Sequence, residues 1–471
     1  MKLAQKVASY NAITGLFTKK EGFVMNFSYL PHTAEDRKAM LEAIGVQDIM
    51  DLFVDIPEDL RFQGDLNLPK ALSEPELVKY MSALSARNAD MKNYKYFLGA
   101  GAYDHYVPST IDHVLRRSEF YTAYTQYQPE ISQGYLQALW EYQSMICEIT
   151  GMGVSNASMY DGATAMAEAA IMGCGATGRK EILISKTVHP HYRRLLYTYA
   201  LDFGFVVREL DYVDGVTCLA KATEAITKET AVVIVQNPNF FGCVEDVKAF
   251  IDAAHAQGAL FVDVCDPTSL ALLEAPGKLG ADIVVGEGQS LGLAAAFGGP
   301  YLGFFATTEK LMRKMPGRIV GQTTDKNGKR GFVLTIQARE QHIRRDKATS
   351  NICSNEALCA LAASVYMATM GKQGYKQVAE QCIQKAHYAQ QQLNNNGVKP
   401  AFNAPFFKEF VVRLDSSVAD KNKALFAKNI IGGLDLGVYY PELAGCMLVC
   451  VTENRTKEDI DAFVAEMGVC K

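Results

Sequence analysis

The middle of the chain, between about residues 180 and 310, alternates short apolar runs with longer segments that have a helical repeat. Short continuous apolar runs are typical of strands that are buried on both faces. Strands that alternate with helices predict a mainly parallel sheet covered by helices on both sides, with ligands at the carboxyl ends of the strands. The predicted strands are residues 181–185, 205–210, 231–235, 259–264, 282–285 and 302–306.

The segment before this region is predicted to be a helical N-terminal arm over residues 25–130. Two of its helices begin with the residue pattern of a capping box, in which a hydroxyl residue and a carboxylate three positions later bond each other's backbone. Thr33 pairs in this way with Asp36, and Ser73 pairs with Glu76.

After residue 130, the pattern of hydrophobic residues predicts a large domain followed by a small one. Residues 135–149 place apolar side chains along one stripe, which indicates a helix that faces the core. Further on the pattern mixes strands and helices, with strands predicted at 409–414 and 447–451. We therefore expect a large α/β domain over residues 131–373 and a small α+β domain over residues 374–471.

The composition narrows the choice of partners. The chain has 471 residues, of which 49% are hydrophobic and 21% are charged, as is usual for globular domains. The net charge is −5, and positive and negative residues are interspersed along the chain. The sequence therefore predicts no broad basic face for nucleic-acid phosphates or anionic lipids. No stretch is long and apolar enough to span a bilayer. We expect no nucleic acid and no membrane among its partners.

The first residues and the cysteines bear on the compartment. Residues 1–24 are lysine-rich and lack the apolar core of a secretory signal. Either they form a mitochondrial presequence, or they extend the chain ahead of a start at Met25; we favour the extension because presequences usually prefer arginine. The 11 cysteines are an odd number without metal-binding spacing, which predicts reduced thiols, no metal site and a cytoplasmic protein.

Three features near the predicted strands have the chemistry of a cofactor site. Small residues before an alanine-rich helix present free N–H groups and the Thr164 hydroxyl, which suits a phosphate, although any tight helix entrance has this pattern. His189 and His191 could stack on a pyridine ring or bond a substrate, or they could cap a surface helix. Asp263, at the end of a predicted strand, could hold a pyridinium nitrogen or cap a loop.

The order of these features is similar to that of the aminotransferase-like fold, fold type I of the pyridoxal phosphate (PLP) dependent transferases. PLP chemistry needs a lysine that holds the cofactor as a Schiff base, and in this fold that lysine ends a strand. The corresponding stretch here, residues 286–290, contains no lysine. We therefore predict that the chain has no catalytic residue of its own, with Ser290 at the expected lysine position. The residues expected to line a vestigial pocket are Thr164, His189, Asp263 and Gln289.

Four long strings of unusual sequence carry a closer resemblance. They are Phe97–Pro108, Tyr124–Gly134, Ser155–Thr164 and Arg339–Cys353. On these strings, and over nearly everything after the first 24 residues, the chain resembles the P-proteins of the glycine cleavage system, and among them subunit 1 of the two-chain glycine dehydrogenase (decarboxylating). The lysine-bearing half of that family has a His-Lys-Thr run at the strand end where this chain has no lysine.

The resemblance implies a partner that carries the chemistry. In the family, subunit 1 and subunit 2 form an αβ pair, and we expect the pair to be doubled to an α2β2 heterotetramer. Subunit 2 would carry the pyridoxal phosphate, and this chain would complete the active-site wall. The enzyme so formed decarboxylates glycine, releases carbon dioxide and transfers the aminomethyl group to the lipoyl arm of the H-protein.

The resemblance also implies where this chain touches the partner's site. Members of the fold commonly complete the cofactor phosphate site with a hydroxyl-bearing loop of the neighbouring subunit, and residues 347–352 occupy that position. Thr349, Ser350 or Asn351 is therefore expected to reach the PLP phosphate of subunit 2, the alternative being a plain surface loop. Tyr103 is expected at the subunit interface or along the route by which glycine arrives, the alternative being ordinary loop packing.

Two other classes of function stay open on the sequence alone. A self-sufficient homodimeric PLP enzyme would require a lysine elsewhere in the chain, and such a chain would turn yellow with PLP. A purely structural or regulatory partner of a PLP enzyme would contribute no atom to any active site, so it would tolerate substitution throughout residues 349–351.

Overall fold

The computed structural model describes residues 31–62, 64, 66–123, 126–352 and 356–468. The chain divides into two compact units between residues 86 and 87. The expected extension over residues 1–24 lies outside the described residues, and the domain boundaries expected from the sequence stay predictions.

The secondary structure of the described residues is as follows, in chain order. The α-helices are α1 Ala34–Ile44, α2 Glu74–Ser85, α3 Ser109–Leu115, α4 Ser118–Tyr121, α5 Gln133–Thr150, α6 Gly162–Thr177, α7 Pro190–Phe203, α8 Leu219–Ala225, α9 Val247–Ala256, α10 Pro276–Leu279, α11 Gln341–Arg344, α12 Ala357–Asn395, α13 Val418–Phe426 and α14 Lys457–Met467. The strands are β1 Lys95–Tyr96, β2 Val154–Ser155, β3 Glu181–Ser185, β4 Val206–Leu210, β5 Tyr212–Val213, β6 Val216–Thr217, β7 Thr230–Asn237, β8 Leu260–Cys265, β9 Ile283–Glu287, β10 Gly303–Thr307, β11 Ile319–Thr324, β12 Arg330–Thr335, β13 Lys399–Pro400, β14 Glu409–Arg413, β15 Ile430–Ile431, β16 Leu434–Asp435 and β17 Cys446–Cys450. Short 3₁₀ helices lie at Ile49–Phe53, Glu58–Leu60, Pro129–Ile131, Pro267–Ala271, Glu309–Lys314, Gln337–Arg339, Arg345–Lys347, Leu436–Val438 and Pro441–Leu443.

In the described part of the first unit, the two α-helices start at the predicted caps. The Thr33 hydroxyl accepts from the Asp36 amide at 3.1 Å, and the Thr33 amide donates to the Asp36 carboxylate at 2.8 Å. The Ser73 amide donates to the Glu76 carboxylate at 2.9 Å. Both capping boxes are therefore confirmed. No residue of α1 or α2 is buried, so local hydrogen bonds rather than a core define these helices.

A seven-stranded sheet organises the second unit. Its strand order is β2-β10-β9-β8-β7-β3-β4. The strands from β9 to β4 are parallel to one another, whereas β10 runs antiparallel to both β9 and β2. The predicted fold, a mainly parallel sheet with helices, is confirmed.

Helices cover both faces of this sheet. Side chains alternate between the two faces of a strand, and the strand residues divide in this way: Val233 and Phe261 pack with α5, whereas Val232 and Val262 pack with α6. The predicted helix over residues 135–149 is confirmed as α5, and its apolar stripe faces the first of these two cores.

Two details of the sheet differ from the sequence prediction. Strand β4 is an edge strand, so Val206 and Arg208 are exposed and the strand is not buried on both faces. Asp263, expected at a strand end, lies inside β8. The pairing of β8 with β7 continues as far as Cys265 opposite Asn237, so the strand ends two residues beyond Asp263.

The C-terminal part contains the predicted α+β elements. Its sheet has the order β13-β14-β17-β16 and packs against α12, α13 and α14. The helix α12 runs across the expected domain boundary and has non-helical backbone at Gly371, where φ is 58°. Among the residues that the structure describes, no helix combines the length and the apolar composition that crossing a membrane requires. The cysteines among them are free thiols, and most are buried.

Candidate functional site

The end of strand β9 carries no lysine. Ser290, which follows this strand after a short turn, is 3% exposed, and its hydroxyl has no hydrogen-bond partner among the described residues. Lys278 lies in α10, before the strand begins, and Lys310 and Lys314 lie in the 3₁₀ helix after β10. The structure therefore places none of these three lysines where a Schiff-base lysine would be needed.

A buried lysine that the sequence did not single out lies beside this strand end. The Lys408 ammonium donates to the Asp266 carboxylate at 2.6 Å and to Nε2 of His105 at 2.9 Å. Burial alone would lower the pKa of Lys408, but the Asp266 carboxylate more than offsets this and the pKa is raised. Because a protonated amine is not a nucleophile, Lys408 cannot replace the missing lysine.

The start of helix α6, where the sequence predicts phosphate binding, is occupied by carboxylates. The Asp161 carboxylate accepts from the Thr164 amide at 2.7 Å and from the Thr164 hydroxyl at 3.0 Å. The Gly162 amide donates to the Glu287 carboxylate at 3.0 Å. The N–H groups that would bind an anion are thus already bonded to anionic side chains of the same chain.

Glu287 acts as an internal replacement for a phosphate. Besides Gly162, its carboxylate accepts from the amides of Gln289 and Leu302, each at 3.0 Å. Burial nevertheless raises the pKa of Glu287 to about 7. A second anion at this place would meet a carboxylate that is already desolvated, which is unfavourable. The amides at the start of α6 are therefore already bonded, while Thr164 itself also lines a larger cavity, and its predicted role stays a prediction.

His189 caps helix α7 and stacks on an aromatic ring. Its Nδ1 accepts from the His191 amide at 3.1 Å, and its Nε2 bonds the Ala100 carbonyl at 3.0 Å. Its ring lies 4.8 Å from that of Tyr192, nearly parallel, and 4.7 Å from that of Phe240. Burial lowers the pKa of His189 to about 4. The neutral imidazole therefore caps α7, and both of its nitrogens are hydrogen-bonded within this chain. Its stacking partners are also side chains of this chain.

Asp263 retains the position of a group that would hold a ring nitrogen. It is fully buried, and neither carboxylate oxygen has a hydrogen-bond partner among the described residues. Burial, and in second place the charge of Glu245, raise the pKa of Asp263 well above its usual range. Without a positive partner the carboxyl group of Asp263 is therefore held in its neutral form, and a role for Asp263 toward a ring nitrogen stays a prediction.

Tyr103 fills the space in front of these residues. Gln289 holds its backbone, accepting from the Tyr103 amide at 2.9 Å and donating to the Tyr103 carbonyl at 3.0 Å. The Tyr103 hydroxyl donates to Glu409 at 2.8 Å, and the Lys408 ammonium lies 3.6 Å from the centre of its ring. The side chain therefore belongs to this chain's own pocket, and a role for Tyr103 along the route of glycine stays a prediction.

Buried polar groups continue from Lys408 into the small domain. His105 bonds Lys408 through Nε2 and Glu453 through Nδ1, the second at 2.7 Å. Cys382, His105 and Glu453 have ligand atoms within 4.8 Å of one another. A metal ion on Nδ1 would put the ring proton on Nε2, facing the protonated Lys408. The chemistry of this donor set therefore argues against a metal ion.

The cavity left among these residues is small. Its volume is about 40 Å³, and its walls include Tyr103, His189, Glu287 and Glu409. Cofactor sites have volumes of about 300 Å³ or more. With no amine, a carboxylate at the phosphate end and this volume, the pocket of this chain does not fit PLP.

A second and larger cavity lies beside the loop expected to reach the partner. Its volume is about 350 Å³, and it lies between helices α6 and α7 and residues 346–352. Asn351 is exposed, and Thr349 is half-buried. The Ser350 hydroxyl points inward and donates to Glu168 at 2.9 Å, while the Ile352 amide bonds the same hydroxyl at 3.1 Å. Burial raises the pKa of Glu168 to about 7.

Sequence reasoning missed the residues that close the pocket. These residues lie in or next to strands that are far apart in sequence, and no local pattern distinguishes them from surface charges; they are Lys408, Asp266, Glu287 and Glu409. The one available signal was Glu287 itself, a carboxylate between two glycines at a buried strand end.

Comparison with known proteins identifies the relatives of this chain. Residues 27–467 match the family model described as "Glycine cleavage system P-protein". A protein of Anoxybacillus flavithermus, named probable glycine dehydrogenase (decarboxylating) subunit 1, is 58% identical over 93% of this chain and 98% of its own length. One of the same name from Brevibacillus brevis is 57% identical over 94% of this chain and 99% of its own length.

Solved structures agree with the sequence comparison. The crystal structure of a glycine decarboxylase (P-protein) of the glycine cleavage system in inhibitor-bound form has a TM-score of 0.86 and 42% identity, covering 94% of this chain and 99% of that one. A cysteine desulfurase from Thermococcus onnurineus, at 15% identity and a TM-score of 0.59 over 80% of this chain and 94% of its own, shows the aminotransferase fold alone. The chain therefore belongs to the glycine cleavage system P-protein family, as a homologue of subunit 1 of the enzyme glycine dehydrogenase (decarboxylating).

Proposed function

We propose that this chain is the subunit of a two-chain glycine dehydrogenase (decarboxylating) that does not carry the lysine, and that it works with a subunit 2 to which PLP is bound. One observation carries the proposal. In a member of the P-protein family, the pocket that would hold the cofactor has no lysine, has a carboxylate at its phosphate end and leaves about 40 Å³. A chain with such a pocket has to act through a partner.

PLP bound in subunit 2 would withdraw electrons from the α-carbon of glycine, so that the carboxylate can leave as carbon dioxide. The contribution of this chain would be to bind, orient and enclose. The exposed amide of Asn351 and the hydroxyl of Thr349 are available to donate to the cofactor phosphate across the interface. Arg344, Arg345 and Lys347, all exposed, would add positive potential beside that phosphate.

Ser350 would serve as a positioning residue in the same loop. Its hydroxyl is already committed to Glu168 at 2.9 Å, so it is not free to reach another chain. Because burial favours the protonated form of Glu168, this contact joins the loop to helix α6 at little electrostatic cost. The loop residues on either side of Ser350 would thereby be held toward the partner.

The complete reaction would transfer the aminomethyl group of glycine to the lipoyl arm of the H-protein. The group left by decarboxylation has to be shielded from stray protons before it meets that arm. A second chain that walls the site gives this enclosure, and an α2β2 heterotetramer would contain two such sites. Membership in the P-protein family supports this arrangement.

The test is to express this chain with its subunit 2, reduce the purified complex with borohydride and find by peptide mass which chain bears the pyridoxyl group. We expect the label on a lysine of subunit 2, with release of carbon dioxide from carboxyl-labelled glycine only when both chains are present. A label on a lysine of this chain, or equal turnover by subunit 2 alone, would overturn the proposal.

A further inference from the structure

A cavity whose charged lining is entirely basic lies on the large domain, away from the closed cofactor pocket. Its volume is about 520 Å³, within the size range of small-molecule sites. No acidic side chain lines it. The cations that line it come from four separate segments of the chain and are Arg179, Lys180, Arg313, Lys314, Arg339 and Arg344.

None of these cations is neutralised within the described residues. The ion pairs found among those residues involve other lysines and arginines, and no carboxylate oxygen lies within 4.0 Å of a charged nitrogen of the six. Six positive charges around one cavity repel one another, and this repulsion raises the electrostatic free energy of the folded chain. An anion in the cavity would remove that repulsion.

Arg339 is the buried member of the set. It is 8% exposed, and its Nε and one terminal nitrogen have no hydrogen-bond partner among the described residues. The other terminal nitrogen donates to the Met315 carbonyl, which fixes the plane of the guanidinium. Burial lowers the pKa of Arg339, and the nearby charge of Glu340 offsets this only in part, because a charged group is costly in the interior. A planar guanidinium with two unpartnered donors, both buried in the unliganded chain, is suited to bidentate binding of a phosphate or carboxylate.

Two further cations are held in place by neutral partners. The Arg179 guanidinium donates to the carbonyls of Thr230 at 2.8 Å and Gln257 at 3.1 Å. The Lys314 ammonium donates to the Gly175 carbonyl at 2.6 Å. Carbonyl partners restrict these side chains without cancelling their charge, so the cavity is positively charged and partly preorganised before any ligand arrives.

An aromatic pair forms the apolar wall of the cavity. The rings of Phe203 and Phe205 are stacked, with centroids 5.4 Å apart and planes at 10°. Phe203 is 46% exposed although it is a large apolar side chain. A flat, exposed aromatic surface beside a group of cations suits a ligand that has a planar ring as well as a negative charge.

We propose that this cavity binds a small organic phosphate, with the phosphate on Arg339 and its neighbouring cations and the planar, uncharged part of the ligand against Phe203. The cavity shares Thr349 and Arg344 with the loop proposed to reach the partner's cofactor. Arg339, Arg179 and Lys314 have no part in that proposal, so the inference goes beyond the function proposed above. A nucleoside monophosphate has the required combination of one phosphate and one planar ring.

The test uses the complex of this chain with subunit 2, already saturated with PLP, and isothermal titration calorimetry with three probes. AMP carries both groups, inorganic phosphate carries only the anion, and adenosine carries only the ring. We expect AMP to bind more tightly than either partial probe, and to bind more weakly as salt is raised, since salt screens the cations. Arg339→Gln should weaken AMP binding by about tenfold or more.

Two further variants control for the loss of charge and for the loss of folding. Lys326→Gln removes one positive charge from an exposed hairpin turn and should leave AMP affinity unchanged. If Arg339→Gln fails to fold, the double variant Lys180→Gln, Arg313→Gln, which changes only exposed side chains, should weaken AMP binding in its place. No heat from AMP, equal affinity in the wild type and these cavity variants, or inorganic phosphate binding as tightly as AMP would each overturn the proposal.

Discussion

Lys408 is the residue on which the closed pocket most depends, and Lys408→Met tests this. The side chain is 2% exposed, and methionine preserves much of its apolar stem while removing the ammonium. The substitution leaves Asp266, which is 13% exposed, without its ion-pair partner. It also removes the donor to His105 Nε2 and the cation that lies 3.6 Å from the Tyr103 ring centre.

The expected loss follows from these contacts. Removing one partner of a buried ion pair costs about 3–5 kcal/mol, because the other charge stays buried and unpaired. The double variant Asp266→Asn, Lys408→Met removes both charges, so it should be less destabilised than Lys408→Met alone. Such a rescue distinguishes a buried pair from simple loss of packing.

The chain has a convenient reporter for the measurement. Trp140 is its single tryptophan, and it packs 5.8 Å from the Phe332 ring in the core beside α5. Urea unfolding followed by tryptophan fluorescence gives the free energy of unfolding of each variant. Lys457→Met, which removes an exposed ammonium paired with Asp461, is the control and should change little. A loss below about 1 kcal/mol for Lys408→Met would refute the reasoning, since that is the range of surface pairs.

Three other outcomes are expected. Thr349→Ala with Asn351→Ala should weaken retention of PLP by the assembled complex, measured by cofactor absorbance after gel filtration, and unchanged retention would remove these residues from the proposed phosphate contact. Ser350→Ala should lower retention less than that pair of changes, since it acts through the position of the loop. For Glu287, the folded-state pKa of about 7 lies above the ordinary 4.5, so the folded chain keeps a proton that the unfolded chain loses and stability falls as pH rises from about 4.5 to 7. Glu287→Gln should remove up to about 3 kcal/mol of that fall in urea titrations across this range, and an unaltered pH dependence would contradict the assignment.

The fold could be predicted because its signals are local. Each strand of the main sheet is a short apolar run, and α5 carries its stripe at helical spacing, so neither depends on residues far away in sequence. The edge position of β4 could not be predicted, since exposure of Val206 and Arg208 follows from strand order rather than from the strand itself. Asp263 was displaced from the strand end for a related reason, because pairing with β7 decides where β8 stops.

The missing lysine of the candidate site could be predicted from the sequence, but the contacts that fill the site could not. The absence of lysine in residues 286–290 is visible in the sequence. The bond between the helix start and Glu287, and the contacts of Tyr103 with Gln289 and Glu409, depend on which distant residues meet. The basic cavity was hidden in the same way, since an overall charge of −5 gives no sign that six cations from four segments converge.

The carboxylate of Glu287 bears on whether one substitution could give this chain a cofactor site of its own. Ser290→Lys would restore the amine but would leave the helix start bonded to Glu287 and Asp161, and Tyr103 would still fill the space in front of it. Each of these obstacles persists when the other is removed, so no single substitution returns the chain to independent catalysis. A cofactor site in this chain would therefore require several contacts to change together.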